Sequence, residues 1–495
     1  MSVAPEIPEV NLQAILPLIW LCVGGITVLM VDTFRKDARG WLTGLGLVFL
    51  AGAALSAVWI WDSPQRVFNG MFAADRLTQA FTLIFVLGTS LTLLFSHDYA
   101  AREGIGNGEY YALLLFAAAG MVMMAGGTNL IIIFLGLEVM SIASYVLAGM
   151  FKTRPASSEA SMKYFLTGAF ATGFLLYGIA LVYGSVGSLD HAVLTERLAA
   201  GGAREGMDWL LLAGVGLLVV GFGFKVAAVP FHMWAPDVYE GAPTPVTGFM
   251  AAAVKAAGFA AFFRVFAGPL AALHVDWSAI LWVAAVLTMT LGNVAAISQR
   301  NIKRMLAYSS IAHAGYLLMA LVALNRTGAG GLLFYLFQYT LSTIGAFGVI
   351  IALSAANGDG RETLDLSEYD GLGSRRPVLG LVLALFMFSL AGLPPTAGFM
   401  GKVYIFSAAV EAGYTWLVVI AVLNSVVAVT YYLGVVVRIF MRESRTQDAG
   451  ETPARLRVGV WTAAGLVIAV WGTLQLGVFP SGALSLAKQA AAGGF

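Results

Sequence analysis

Charge is what this sequence has least of. Over 495 residues it carries 28 basic and 27 acidic side chains, 11% of the chain, against 59% hydrophobic residues and a mean hydropathy of +0.84. A soluble domain carries ~25% charged residues, so a soluble globular protein is excluded. Disorder needs the opposite composition and is excluded too. The net charge of +1 is too small for a nucleic-acid binder or an acidic tail domain. Cysteine is nearly absent: the single thiol, Cys22, cannot by itself ligate an iron–sulfur cluster, build a zinc site or close an internal disulfide. Cofactor motifs are missing as well. Gly104-Ile-Gly106 and Gly214-Val-Gly216 resemble fragments of a dinucleotide loop but follow no strand and open no βαβ unit. There is no P-loop, zinc-protease helix or haem attachment sequence, so no cofactor or metal site is expected on this chain.

Long apolar runs are what it has in abundance. A membrane-spanning helix needs ~20 apolar residues. Runs of that kind fall at 12–31, 41–61, 77–96, 110–127, 128–150, 161–184, 209–234, 245–266, 277–298, 305–324, 330–354, 377–410, 415–437 and 458–478. The expected fold class is an all-α polytopic membrane protein with about 14 transmembrane helices. The residues before the first run are acidic (Glu6, Glu9), unlike a signal sequence, so that run reads as a retained helix. Loops after odd-numbered runs hold seventeen Lys and Arg, those after even-numbered runs with the tail seven, counting Arg264 at the end of the eighth run with the loop that follows it. The positive-inside rule then puts both termini on the outer side, which requires an even number of spans.

Two runs are abnormal. The twelfth, 377–410, is too long for one straight helix and carries Pro394-Pro395 between Gly392 and Gly398; the seventh has Pro230 inside 221–232. Proline removes a donor and clashes with the preceding turn, so both helices should break. Broken helices at matching places point to inverted repeats around a midplane site. Pro230 and Pro394 lie five spans apart, which predicts two five-helix repeats, the odd count inverting the second. The expected division is 1–109 for the first three helices, 110–266 for the first repeat, 277–441 for the second, and 456–495 for the last helix and tail.

Five charges sit inside these runs: Glu138 in the fifth, Lys163 in the sixth, Lys225 in the seventh, Lys255 in the eighth and Lys402 in the twelfth. Each costs ~2.5–3.5 kcal/mol near a bilayer centre on insertion scales, so each must pair, neutralise or face water. Four of the 8 Lys are in runs, whereas none of the 20 Arg is mid-run, Arg264 lying near the end of the eighth. Arginine serves fixed ion pairs better, while a buried lysine can exchange a proton near neutral pH. The choice of lysine therefore favours proton transfer. Lys163 lies early enough in its run to snorkel instead, but that leaves Glu138 without its obvious partner. Lys225 and Lys402 flank the breaks, where freed carbonyls can also hold an ammonium structurally. Of the five histidines, His97, His191 and His274 are in loops. His232 follows the first break and His313 is mid-run, both suited to relay a proton or simply to bond between helices. The eleventh run adds Tyr335, Gln338, Tyr339, Ser342 and Thr343, enough polarity to hold water and equally ordinary packing glue.

Three blocks carry a family resemblance: KVAAVPFHMWAPDVYEGAPTPVTGFMAAAVKAAG (225–258), KRMLAYSSIAHAGY (303–316) and LPPTAGFMGKVYIF (393–406). They closely resemble the antiporter-like membrane subunits of respiratory complex I, most strongly over roughly residues 125–410. The resemblance implies fourteen helices with broken seventh and twelfth members. By position it implies that Glu138 is the fifth-helix glutamate and Lys163 its sixth-helix partner. Lys225 becomes the broken-helix lysine, Lys255 the central lysine and Lys402 the last charge before the exit side; His232 and His313 lie in the same blocks. Members that usually carry glutamate at the Lys402 position, including Mrp-type sodium/proton antiporter subunits, fit less well. So do members with a long C-terminal extension, since this chain ends 17 residues after its last run.

The function so implied is a redox-driven proton channel in a bacterial plasma membrane. Protons would enter through Lys225 toward Lys255 and leave through Lys402, with a Glu138–Lys163 pair as the gate. NADH, FMN, iron–sulfur clusters and quinone would belong to partner subunits, and the partners would be other membrane-arm subunits and the lipid bilayer. A sodium/proton antiporter subunit and a non-conducting scaffold of the membrane arm are the competing readings.

Overall fold

The computed structural model describes residues 11–35, 39–201, 208–355, 362–443 and 458–492. Nearly all of it is helical. The helices are α1 (Leu16–Phe34), α2 (Arg39–Ile60), α3 (Arg76–Arg102), α4 (Gly108–Gly126), α5 (Leu130–Ala148), α6 (Pro155–Val186), α7 (His191–Ala199), α8 (Asp208–Val226), α9 (Trp234–Gly241) and α10 (Thr244–Phe249). They continue with α11 (Lys255–Phe266), α12 (His274–Ile297), α13 (Ile302–Ala323), α14 (Arg326–Ser354), α15 (Leu372–Arg375), α16 (Pro377–Ala391), α17 (Ala397–Glu411), α18 (Thr415–Met441), α19 (Val460–Val478) and α20 (Ser481–Ala492). Among the described residues thirteen helical segments are long and apolar enough to cross a membrane. The fourteenth crossing is the broken pair α16–α17, each half only 15 residues. Side-chain caps fix where several helices begin: Asp75 accepts from Thr78 N–H, Asn129 from Ile131 N–H, and Asn301 from Lys303 and Arg304 N–H.

Burial sorts the helices into a centre and a rim. The most apolar window of Thr244–Phe266 is fully buried, and those of Ile302–Ala323 and Arg326–Ser354 are 94% buried, against 33% for the first, sixth and thirteenth crossings. Polar groups on α11, α13 and α14 therefore face protein, while the rim presents apolar side chains such as Phe170, Val275 and Val426 outward.

Both expected breaks are present, in a shared geometry. At the first, α8 stops at Val226, Ala227 takes a left-handed φ of +60°, and Ala228 N–H bonds back to Gly223 C=O. At the second, Gly392 takes φ +82° and Leu393 N–H bonds back to Phe388 C=O. These six-to-one bonds close helix ends. Two details correct the sequence reading. The seventh run is not helical through 234: α8 ends eight residues earlier and a short α9 resumes at Trp234. The residue matching Pro230 is Pro395 rather than Pro394, because each lies three residues after the left-handed cap. The eighth crossing holds a feature that periodicity did not reveal, a π-helical turn at Met250–Val254 directly before Lys255. Such turns concentrate at functional positions.

A hairpin of β1 (Gln65–Val67) and β2 (Phe72–Ala74), with α7, closes one end of the bundle. There Arg264 bonds both carboxylate oxygens of Asp75 at 2.6 and 2.9 Å.

Candidate functional site

Three lysines lie buried beside the helix irregularities. Lys225 is in the last turn of α8, Lys255 follows the π turn, and Lys402 is in the second turn of α17 after its break; their exposures are 4, 2 and 5%. Lys225 Nζ donates to Ser141 Oγ at 2.8 Å and to Tyr164 OH at 3.5 Å, over the faces of the Tyr145 and Tyr164 rings. A cavity of about 10 Å³ beside it, lined by Ser141, Tyr145, Thr172 and Phe224, has room for one water. Its stem lies against Gly258, one turn after Lys255, where a Cβ would sit 3.4 Å from Lys225 Cγ.

Lys255 Nζ donates to Ser310 C=O at 2.5 Å and to the Ser310 hydroxyl. One turn on along α13, His313 bonds Tyr335 OH through Nδ1 at 2.6 Å and Tyr432 OH through Nε2 at 3.1 Å. Lys402 Nζ donates to Ala391 C=O at 2.8 Å and Ser425 Oγ at 3.3 Å, and lies 4.9 Å from the centre of the Tyr316 ring. Its side chain fills the space that a Cβ on Gly392 would take, so the left-handed cap and the lysine need glycine at the same position.

Among the described residues none of these three ammonium groups has a carboxylate within ion-pair distance. Their partners are hydroxyls, carbonyls and aromatic faces. Hydroxyls can accept from an ammonium and donate to a neutral amine, so each lysine can give up a proton without stranding a buried anion.

The expected Glu138–Lys163 pair is not formed. Lys163 Nζ bonds Asp237 at 2.6 Å and Glu159 at 2.7 Å, with its side chain 42% exposed. The physical reason is position: Lys163 is early in α6, level with α9, so it reaches the acids there. Glu138 keeps Oε1 buried with no hydrogen-bond partner among the described residues, on α5 beside a stripe of outward apolar residues that includes Leu135, Val139 and Ile142. His232 is also separate from the lysine series. It lies half-buried in the first break, and its Nδ1 has no partner among the described residues.

Sequence reasoning missed a second set of charges. Arg304 bonds Asp237 at 2.7 Å and Glu240 at 2.9 Å, which joins Lys163 to the start of α13. Next to it Lys303, which lies between the ninth and tenth apolar runs, is fully buried, bonding Ala242 C=O at 2.6 Å and Glu362 at 3.3 Å. Glu362 also accepts from Tyr99 OH and Thr244 Oγ1, both at 2.5 Å. Burial by itself pushes the Glu362 carboxyl up, but the Lys303 charge and these hydrogen bonds outweigh it and hold it below the usual carboxylate range. The signal was the Asn301 cap: it starts α13 early enough to draw Lys303 inside.

Comparison with known proteins sets this geometry in a family. Residues 127–428 match the family model described as "NADH:quinone oxidoreductase/Mrp antiporter, TM". NADH-quinone oxidoreductase subunit N of Trichlorobacter lovleyi is 47% identical over 492 residues, 99% of each chain. Subunit N 2 of Roseiflexus castenholzii is 44% identical, covering 96% of this chain and 94% of its own. Among solved structures, a chain of respiratory complex I from Thermus thermophilus aligns with TM-score 0.78 and 39% identity, covering 95% of this chain and 99% of that one. A chain of the Mrp complex from Dietzia sp. aligns with TM-score 0.84 at 22% identity over 98 and 97% of the two chains, a likeness of fold alone.

Proposed function

The chain belongs to the NADH:quinone oxidoreductase/Mrp antiporter transmembrane family, and on that premise we propose that it is a proton-translocating membrane subunit of respiratory complex I. It works beside other antiporter-like subunits in the bacterial plasma membrane, with both termini on the outer side. Oxidation of NADH and reduction of quinone take place on partner subunits, which carry the FMN and iron–sulfur clusters, and this chain holds no redox centre. Residues 110–266 and 277–441 act as its two inverted repeats.

One observation carries the reading. Lys225, Lys255 and Lys402 are buried against neutral partners that tolerate both protonation states, whereas Lys163 and Lys303 are tied to carboxylates. The first three move protons, from Lys225 through Lys255 and His313 to Lys402; the other two hold charge. Lys163 remains part of the gate, through Asp237 rather than Glu138. Loosening that pair redistributes charge beside the α8 break and alters how readily Lys225 holds its proton. Glu138, with Oε1 buried on α5, lies near enough to Lys225 to act on its charge, and His232 lines the break.

Membrane vesicles containing the complex with Lys255→Ala test the proposal, with NADH oxidation and internal acidification followed together. Both fall by about tenfold or more with the complex still assembled if Lys255 passes protons. Unchanged acidification sinks the proposal and favours a scaffold. Loss confined to sodium/proton exchange favours the antiporter reading.

A further inference from the structure

His313 has two ring nitrogens, and each opens onto a different series of polar groups leading toward Lys402. On the Nε2 side lies Tyr432, in contact with Tyr431 at 4.3 Å between ring centres. Tyr431 OH donates to Asn293 Oδ1 at 3.0 Å, and Asn293 Nδ2 donates to Tyr316 OH at 3.1 Å and to Asn424 Oδ1 at 3.5 Å. Tyr316 OH accepts from Ser425 at 3.5 Å, and Ser425 accepts from Lys402. The series is geometrically continuous.

Its chemistry is not. A hydroxyl can accept a proton at oxygen while releasing its own, so it relays. An amide accepts only at oxygen and donates only at nitrogen. A proton crossing Asn293 would have to enter at Oδ1 and leave from Nδ2, turning the amide into its imidic-acid tautomer. Asn293 is fully buried and bonded on both sides, accepting from Tyr431 and donating to Tyr316.

The Nδ1 side differs. Tyr335 OH is 2.6 Å from His313, and the Tyr335 ring and Gln338 amide lie against Gly401, the residue before Lys402. Gln338 Oε1 is buried, with the residue 1% exposed, and has no hydrogen-bond partner among the described residues. Buried polar atoms in that condition are where bound water is held.

We propose that protons pass from His313 to Lys402 on the Nδ1 side, through Tyr335 and water held by Gln338, while Asn293 is a positioning residue that closes the Nε2 side to protons and fixes Tyr316 beneath the Lys402 ammonium. In the transfer, the imidazolium gives its Nδ1 proton to the Tyr335 oxygen as Tyr335 releases its own to water. That water passes one to the Lys402 amine, so every relay group is regenerated. The inference rests on the proton-path reading above and assigns the groups within it.

The test uses the assembled complex in membrane vesicles carrying Tyr335→Phe, Tyr431→Phe or Lys402→Ala, with NADH-driven acidification measured from pH 6 to 8. Tyr335→Phe is expected to lower acidification by about tenfold, and Tyr431→Phe to stay within about twofold with an unchanged pH profile. Adding Asn293→Asp to Tyr335→Phe supplies a carboxyl that can relay, and should restore part of the lost acidification, which a merely structural defect would not do. Equal losses for Tyr335→Phe and Tyr431→Phe, or no restoration by Asn293→Asp, overturn the assignment. If Lys402→Ala abolishes acidification while Tyr335→Phe pumps normally, only this inference fails. If Lys402→Ala pumps normally, the lysine path itself fails.

Discussion

The buried Lys303–Glu362 pair offers a prediction whose magnitude follows from its surroundings. Lys303 and Glu362 side chains are 1 and 11% exposed, and the carboxylate joins three helices by accepting from Tyr99 on α3, Thr244 on α10 and Lys303 on α13. In Glu362→Ala the Lys303 ammonium keeps only the Ala242 carbonyl. An uncompensated buried charge costs ~3–5 kcal/mol, a large part of a typical folding margin. The double variant Lys303→Met with Glu362→Leu removes both charges and should lie within ~1–2 kcal/mol of wild type. Thermal melting of the purified complex, read at this subunit, separates the cases. The pH dependence has a definite sign. Because the folded carboxyl is held below its ordinary value, its contribution is fully present above ~4.3 and is lost as pH falls through the lower folded value. Wild type should therefore lose this stability only on the acid side, and Glu362→Gln should lack that loss. A single variant costing under ~1 kcal/mol, or a double variant as unstable as the single, would refute the reasoning.

The remaining predictions concern charge and protonation elsewhere. Because Lys163 bonds Asp237 and not Glu138, Lys163→Gln and Asp237→Asn should impair acidification to a similar extent, and the double variant should be no worse; additive losses would separate the two residues. Lys402→Arg keeps the charge but not the ability to release a proton, so it should pump no better than Lys402→Ala, and normal acidification would contradict the relay role. His191 is pulled down to about 3 by burial and by the Arg264 and Arg66 charges. Above its ordinary pKa both folded and unfolded chains are neutral there; below it only the unfolded chain takes the proton, so stability falls from about pH 6.5 toward 3. His191→Phe should flatten that slope in a melting series, and identical slopes would rule it out.

Much of the fold was legible because its signals are local. Apolar runs of span length gave the crossings, and Gly392, Pro394-Pro395 and Pro230 gave the breaks. The buried lysines stood out because a charge amid apolar residues is conspicuous at any register. Partner choice was less legible. Lys163 looked like the mate of Glu138 because the two lie on consecutive antiparallel spans, but the level of Lys163 along α6 sets it beside Asp237, eleven residues past Val226 on a separate short helix. Lys303 looked like a loop cation because its burial depends on α10 and Glu362 arriving from distant parts of the chain. Asn293, Tyr316 and Tyr431 carried no signal, since polar residues of that size are ordinary in membrane helices.

By itself, then, the sequence determined the class of protein, the number of crossings, the two interruptions and the ions that had to be explained inside a membrane. Those follow from transfer cost and backbone sterics, which depend on neighbours within a turn or two. Only the tertiary structure decided which lysines rest on hydroxyls and which on carboxylates, where the π turn puts Lys255, and which hydroxyl each nitrogen of His313 meets. Hydrogen bonding has a reach of about 3 Å, so such choices are made by helices brought together from opposite ends of the chain.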